Sequence, residues 1–243
     1  MSTATGTAVV VTPEQAAARA MWVLTDRGMI YTTSKETGGQ YAVVESIVQP
    51  GGGPPPHLHH REDELFYILE GTFSMVLGAE SFTAHAGESL FLPRGVIHTF
   101  KNIGDAPGRL LTVAIPAGFD AFFAEIGEPC DDPTQVPAIT PQRIEKLQAT
   151  CAKHGLELIP AWHPTRTASP KPAPRQLWVL GLHVKLLTRG SETKNSFSVA
   201  QITAAPGNFV PPHRHEREDE LFYVVEGTME FEIEGRTITA AHG

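Results

Sequence analysis

The 243-residue sequence predicts an all-β protein with a few short helices, a sandwich or barrel written twice. Three observations carry that reading. Twenty-two glycines and twenty prolines punctuate the chain into short segments, which favours strands over long helices. Those segments are short apolar runs rich in β-branched and aromatic residues, bounded by turn signals. The chain also matches itself: shifted by 156 residues, 21–87 align with 177–243 without a gap, and 26 of the 67 positions are identical. A period that long is a tandem duplication and not a solenoid.

The elements follow in order. "TPEQAAARA" reads as a short capped helix. "QYAVVESIVQ" is a strand ending at Pro50-Gly51. "ELFYILEGTFSMVLG" is two apolar runs hinged at Glu70-Gly71, so a hairpin is expected there. "ESFTAHAGESLFLPRGVIHTFKNIG" continues as short strands broken at Gly87, Pro93-Arg94-Gly95 and Gly104-Asp105, and "GRLLTVAIP" adds one more. Between the copies the period becomes helical. "PAGFDAFFAEIGEP" spaces Phe119, Phe122, Phe123 and Ile126 on one face. "ITPQRIEKLQATCAKHGLELI" offers Thr140 as N-cap, Pro141 at the first position and Gly155 as C-cap. Both helices are expected to pack outside the β unit. "WHPTRTASPKPAPRQ" reads as a stiff extended linker. The boundaries are thus 1–116 for the first unit, 117–176 for the helices and linker, and 177–243 for the second unit.

Composition excludes several classes. With 41% hydrophobic and 19% charged residues the chain has ample core material. A formal charge of −8 leaves no basic excess to neutralise phosphates, so no nucleic-acid partner is expected. No run of about 18 apolar residues suggests a membrane span. "MSTATGTAVVVTPEQ" does not read as a signal peptide. Cys130 and Cys151 lack paired spacing and read as reduced residues, so a cytoplasmic location is expected.

Chemistry concentrates in "PPHLHHREDELFYILEG". Residues two apart on an extended chain point the same way, so His57 and His59 share a side and His60 faces the other. Glu64 opens the next strand, where a bend brings its carboxylate round. Two histidines and a glutamate lining a β interior are costly unless something pairs with them. A divalent metal does, and imidazole with carboxylate suits iron, manganese, nickel, cobalt or zinc. His98, restarting a strand after the Pro93–Gly95 turn, can close a three-histidine, one-glutamate site. Arg61, Glu62 and Asp63 read as a solvated rim, and His85 as a structural histidine.

These residues resemble the cupin superfamily. Gly51, His57, His59, Glu64 and Gly71 match its first sequence motif at every fixed position, and Gly87, Pro93, Gly95, His98 and Asn102 match its second. The second copy repeats the first motif through Gly207, His213, His215, Glu220 and Gly227. The resemblance implies tandem jelly-roll-type β-barrels, with His57, His59, Glu64 and His98 as metal ligands and one divalent transition metal per complete unit. Gly243 aligns with Gly87, so the second barrel is expected to be incomplete at its C-terminus, as a shortened form of a longer two-cupin chain. His213, His215 and Glu220 then form a weaker second site, and exposed strand edges admit a homodimer.

The fold hosts dioxygenases, decarboxylases, isomerases, storage proteins and sensors, and fold alone does not choose among them. Leu58 and Arg214 stand where the oxalate decarboxylase type carries Trp, and "REDELFY" after the histidines resembles bacterial proteins grouped with quercetin 2,3-dioxygenase. The expectation is a metal-dependent dioxygenase acting with O2 on a flavonol-like or other enolisable aromatic compound. Glu64 would serve as ligand and general base, and Phe66 and Phe100 would wall the substrate pocket. The rival readings are a non-catalytic cupin holding a metal and a small molecule, and a cupin isomerase.

Overall fold

The computed structural model describes residues 8–168 and 173–242. Residues 1–7, the first part of the stretch weighed above as a signal segment, lie outside the described residues, as do 169–172 of the Pro-rich linker and Gly243.

Helix α1 (Pro13–Ala17) forms where the capping pattern places it. Thr12 accepts from the Gln15 backbone N–H, and the Gln15 side chain accepts from that of Thr12, so two orphan donors are satisfied reciprocally. Ten strands follow: β1 (Ala20–Val23), β2 (Asp26–Thr32), β3 (Ala42–Val48), β4 (His57–His59), β5 (Asp63–Glu70), β6 (Thr72–Leu77), β7 (Glu80–His85), β8 (Ser89–Leu92), β9 (His98–Asn102) and β10 (Gly108–Ile115). Then come α2 (Phe119–Ile126), β11 (Glu128–Pro129), α3 (Pro141–His154), β12 (Leu156–Leu158) and β13 (Arg166–Thr167). The second copy supplies β14 (Arg175–Val179), β15 (Leu182–Thr188), β16 (Val199–Thr203), β17 (Thr228–Ile233) and β18 (Arg236–Ala241).

The first copy is two facing sheets, β11-β1-β2-β3-β10-β5-β8 and β12-β4-β9-β6-β7-β13, the jelly-roll-type arrangement that the sequence motifs imply. Phe66, Ile68 and Leu110 from one sheet meet Phe73, Met75 and Ala84 from the other in a buried apolar core. Period-2 alternation in each strand produces this face. Asn102 braces one corner: its Nδ2 donates to Val48 and Ala106 carbonyls at 2.9 and 2.8 Å, and its Oδ1 accepts from Gly104 N–H.

The hairpin expected at Glu70-Gly71 does not form. β5 pairs with β10 and β8, whereas β6 pairs with β7 and β9, so the chain changes sheets at Gly71. Gly71 has φ +92°, and a Cβ there would stand 3.0 Å from the Gly108 Cα. Two apolar runs joined at a glycine read alike whether the chain folds back or crosses over; only the other strands decide.

Residues 117–168 are part of the first copy's architecture. Thr140 caps α3 by accepting from the Arg143 N–H, and Gly155 ends it in the left-handed region. Phe122, Phe123 and Ile126 of α2 and Leu147 and Cys151 of α3 pack on Ile30 and Val44. β11, β12 and β13 extend the sheets at β1, β4 and β7. The start of the Pro-rich stretch is docked rather than free, with Trp162 Nε1 donating to the Gly78 carbonyl at 3.0 Å.

The second copy repeats the first where its strands find partners. Trp22 stands opposite Arg27 and Trp178 opposite His183; Thr72 stands opposite His85 and Thr228 opposite Ala241. Its two small sheets are β14-β15-β16 and β17-β18. Phe197, Val199 and Tyr223 cover the outer face of the first copy around Tyr31, Val43 and Val113. Within that contact Glu45 is fully buried. It accepts from Arg109 Nε at 2.6 Å and from the Tyr31 and Tyr223 hydroxyls at 3.1 and 3.2 Å, so the charge is paired and hydrogen-bonded. No helix among the described residues is long and apolar enough to cross a membrane.

Candidate metal centre

β4 lies between β9 and β12, with His57 opposite His98. The alternation turns His57 and His59 inward, both buried, and leaves His60 exposed, where its Nε2 meets Glu157 at 3.1 Å. Glu64 reaches the same point from β5. One ligating atom from each of His57, His59, Glu64 and His98 lies within 4.8 Å of the other three, a set that a small contraction would bring onto one ion.

The ring nitrogens are sorted. His57 Nδ1 lies 2.9 Å from the Pro55 carbonyl and His98 Nδ1 3.0 Å from that of Val96. A carbonyl can only accept, so each Nδ1 carries the proton and each Nε2 turns its lone pair inward, the arrangement of histidines that bind metal. His59 Nδ1 faces Glu62 Oε2 at 3.4 Å. Glu64 Oε2 sits 3.3 Å from His59 Nε2 and 2.9 Å from His98 Nε2. None of these three buried atoms has an aligned hydrogen-bond partner among the described residues. Three buried polar atoms left unsatisfied side by side would be strongly destabilising, and a divalent ion satisfies all of them. The donor set fits a transition metal.

Electrostatics agree. Burial, with His98 and His59 nearby, pushes His57 down to about 3, so it is neutral and able to ligate. Burial would raise Glu64, but His59 and His98 outweigh it and hold the carboxyl at about 2. Burial lowers His59, yet Glu64 and Glu62 together raise it.

Glu62 corrects the sequence reading. Taken as part of a solvated rim, it is 4% exposed and orients His59. Its other oxygen lies against the start of α2: a Cβ on Gly118 would stand 2.9 Å from Glu62 Oε1, and Gly118 has φ +151°. Asp63 is also tied down, receiving Arg94 Nη2 at 2.8 Å and the Arg94 backbone N–H at 2.8 Å. The alternation of the charged run was the only available signal, and it needed the return of α2 to become burial. His85 is exposed and plays no part in the site.

Beside the four groups a cavity opens, lined by Phe66 and Phe100 from the sheets and by Phe119, Phe122 and Phe123 from α2. Phe66 and Phe100 meet edge to face, ring centres 5.6 Å apart. Cys151, also on the wall, is buried and its thiol pushed up to about 11 by that burial, which makes it inert as a nucleophile.

His213, His215 and Glu220 come together too, but all three are exposed. Residues 220–226, which align with 64–70 of β5, form no strand. β5 is held by β8 and β10, whereas residues 220–226 pair with no strand among the described residues.

The cupin domain family matches residues 44–114 and again 200–243, the two regions that hold these clusters. These two regions belong to the cupin superfamily. Among curated cupin relatives, an uncharacterized protein of Methanocaldococcus jannaschii is 33% identical over 79 residues, 32% of this chain and 63% of that protein. Mannose-1-phosphate guanylyltransferase 2 of Escherichia coli O157:H7 is 33% identical over 81 residues, 33% of this chain and 17% of its own. Quercetin 2,3-dioxygenase of Aspergillus japonicus is 29% identical over 129 residues, 50% of this chain and 37% of its own. The matched region spans less than two thirds of each relative.

Proposed function

We propose that the first copy is a metal-dependent dioxygenase site for an enolisable aromatic compound. The observation that carries this reading is the buried set of Nε2 and carboxylate atoms, unpaired and convergent, opening onto an aromatic cavity. The similarity to a quercetin 2,3-dioxygenase over half the chain supports it. His57, His59, Glu64 and His98 would hold the ion. When bound, a redox-capable divalent metal supplies Lewis-acid polarisation of a substrate oxygen and redox access to O2. The chain supplies the rest. Glu64 is ionised across the neutral range and placed to accept the hydroxyl proton of an enol. Phe66 and Phe100 orient an aromatic ring, and the surrounding apolar side chains exclude water.

The test loads the protein with iron, manganese, cobalt, nickel or zinc in turn. Oxygen uptake is then measured with enolisable aromatics from catechol to quercetin. Uptake is expected with at least one pair and is expected to vanish in His59→Ala, which should keep its far-ultraviolet dichroism and lose its metal. No uptake with any pair leaves the ligand-binding and isomerase readings standing and removes this one.

A further inference from the structure

We infer that the segment between the two copies sets ligand size, so that the first-copy site takes a single-ring enolisable aromatic and excludes a three-ring flavonol. The inference rests on the proposed site but adds the substrate class and the residues that choose it. The cavity volume is about 100 Å³, whereas pockets for drug-sized ligands run to roughly 300–1,000 Å³. One ring with its hydroxyls fits such a space, and three fused or linked rings do not.

What limits it is the connecting segment. Phe119, Phe122 and Phe123 of α2 and Leu147 of α3 line the cavity together with Phe66 and Phe100. Phe119 packs edge-on against His59, ring centres 5.3 Å apart. It is backed by a parallel Phe122 at 5.5 Å and an edge-on Phe123 at 4.8 Å, pairings that hold aromatic rings in place.

The wall is clamped at both ends of the helix. Asp120 accepts from the Ser34 backbone N–H at 2.9 Å and from its hydroxyl at 2.5 Å. Glu125 near the other end receives Lys153 Nζ at 2.6 Å and lies 3.0 Å from His154 Nε2, both on α3. Glu62 lies beneath Gly118 at the start of the helix. A ring held by this many partners is a fixed boundary, and enlarging the site requires removing the ring itself.

The experiment titrates the full chain with catechol and with quercetin by calorimetry, comparing wild type with Phe119→Ala and, as a milder truncation that keeps an apolar contact, Phe119→Leu. Wild type is expected to bind catechol and to show no heat with quercetin. Either variant should gain quercetin binding by about tenfold or more, the scale set by small steric changes in apolar pockets, so that the preference for catechol over quercetin narrows by at least that factor. Equal binding of both ligands by wild type, binding of neither, or an unchanged preference in both variants overturns the inference. Size selection without oxygen uptake leaves it standing and sinks the dioxygenase. Quercetin turnover by wild type does the reverse.

Discussion

Residues 61–67 read REDELFY, and so do residues 217–223. In the first copy this run enters β5 and delivers Glu64 to a buried site; in the second it forms no strand. Seven identical residues with two outcomes show that strand formation here depends on neighbours more than on propensity. Local features survive in both copies. His213 Nδ1 lies 3.0 Å from the Pro211 carbonyl, as His57 Nδ1 lies 2.9 Å from that of Pro55. His215 faces Glu218 at 3.7 Å, as His59 faces Glu62 at 3.4 Å. What separates them is cover. The His59 and Glu64 side chains are 1% and 2% exposed, and those of His215 and Glu220 are 37% and 42% exposed. The motif writes the loop; β8, β9, β10 and α2 make it a site.

The largest expected difference between the copies is in stability. Phe73 on β6 is fully buried against Ile68, Met75 and Leu110, and its counterpart Met229 on β17 is 39% exposed. Phe73→Ala opens a core cavity and should destabilise by about 3–5 kcal/mol. Met229→Ala should stay within about 0.5 kcal/mol. Denaturant unfolding curves measure both, and comparable losses at the two positions would mean that the second copy has a core as dense as the first.

A smaller difference should appear in metal binding. Glu62→Gln keeps an acceptor near His59 but removes the charge, and outer partners of this kind are worth about 10–100-fold in metal affinity. Glu218→Gln alters an exposed contact and should change total affinity by less than about twofold. Competition titration with a chromogenic chelator reads both. A drop in the Glu218 variant as large as that in the Glu62 variant would place the tight site in the second copy.

These contrasts mark how much was legible in the sequence. The duplication, the β class, the caps of α3 and the convergence of His57, His59, Glu64 and His98 follow from local pattern: alternation, turn residues and motif spacing. The sheet change at Gly71, the burial of Glu62 and the aromatic wall from α2 do not, because each is made by a segment distant in sequence. Phe119, Phe122 and Phe123 announced a helix with an apolar face. Nothing in their spacing said that the face would lie on a cavity beside His59.

Asp26 offers the smallest test, and the comparison again sharpens it. It opens β2 and lines the cavity, while Leu182, its counterpart at the start of β15, is a buried hydrocarbon. The hairpin therefore forms without a carboxylate at this position. Burial pushes the Asp26 carboxyl from 3.8 up to about 6, although its Oδ1 accepts from the Gln49 backbone N–H at 3.2 Å. Between about pH 4 and 6 the folded chain then holds a proton that the unfolded chain releases, so this group's contribution to stability falls as pH rises through that window. The full shift corresponds to about 3 kcal/mol, and partial contact with solvent in the cavity reduces it to about 1–2 kcal/mol. Asp26→Asn removes the charge and leaves Oδ1 to accept from Gln49. The variant should be more stable than wild type by that amount at pH 8, with the gap shrinking towards pH 4 and closing below it, where the wild-type carboxyl is protonated both folded and unfolded. Urea midpoints across this range decide it. A gap that is absent at pH 8, or that widens on acidification, would show that the carboxylate is solvated and stabilising, and that Leu182 marks no difference between the copies.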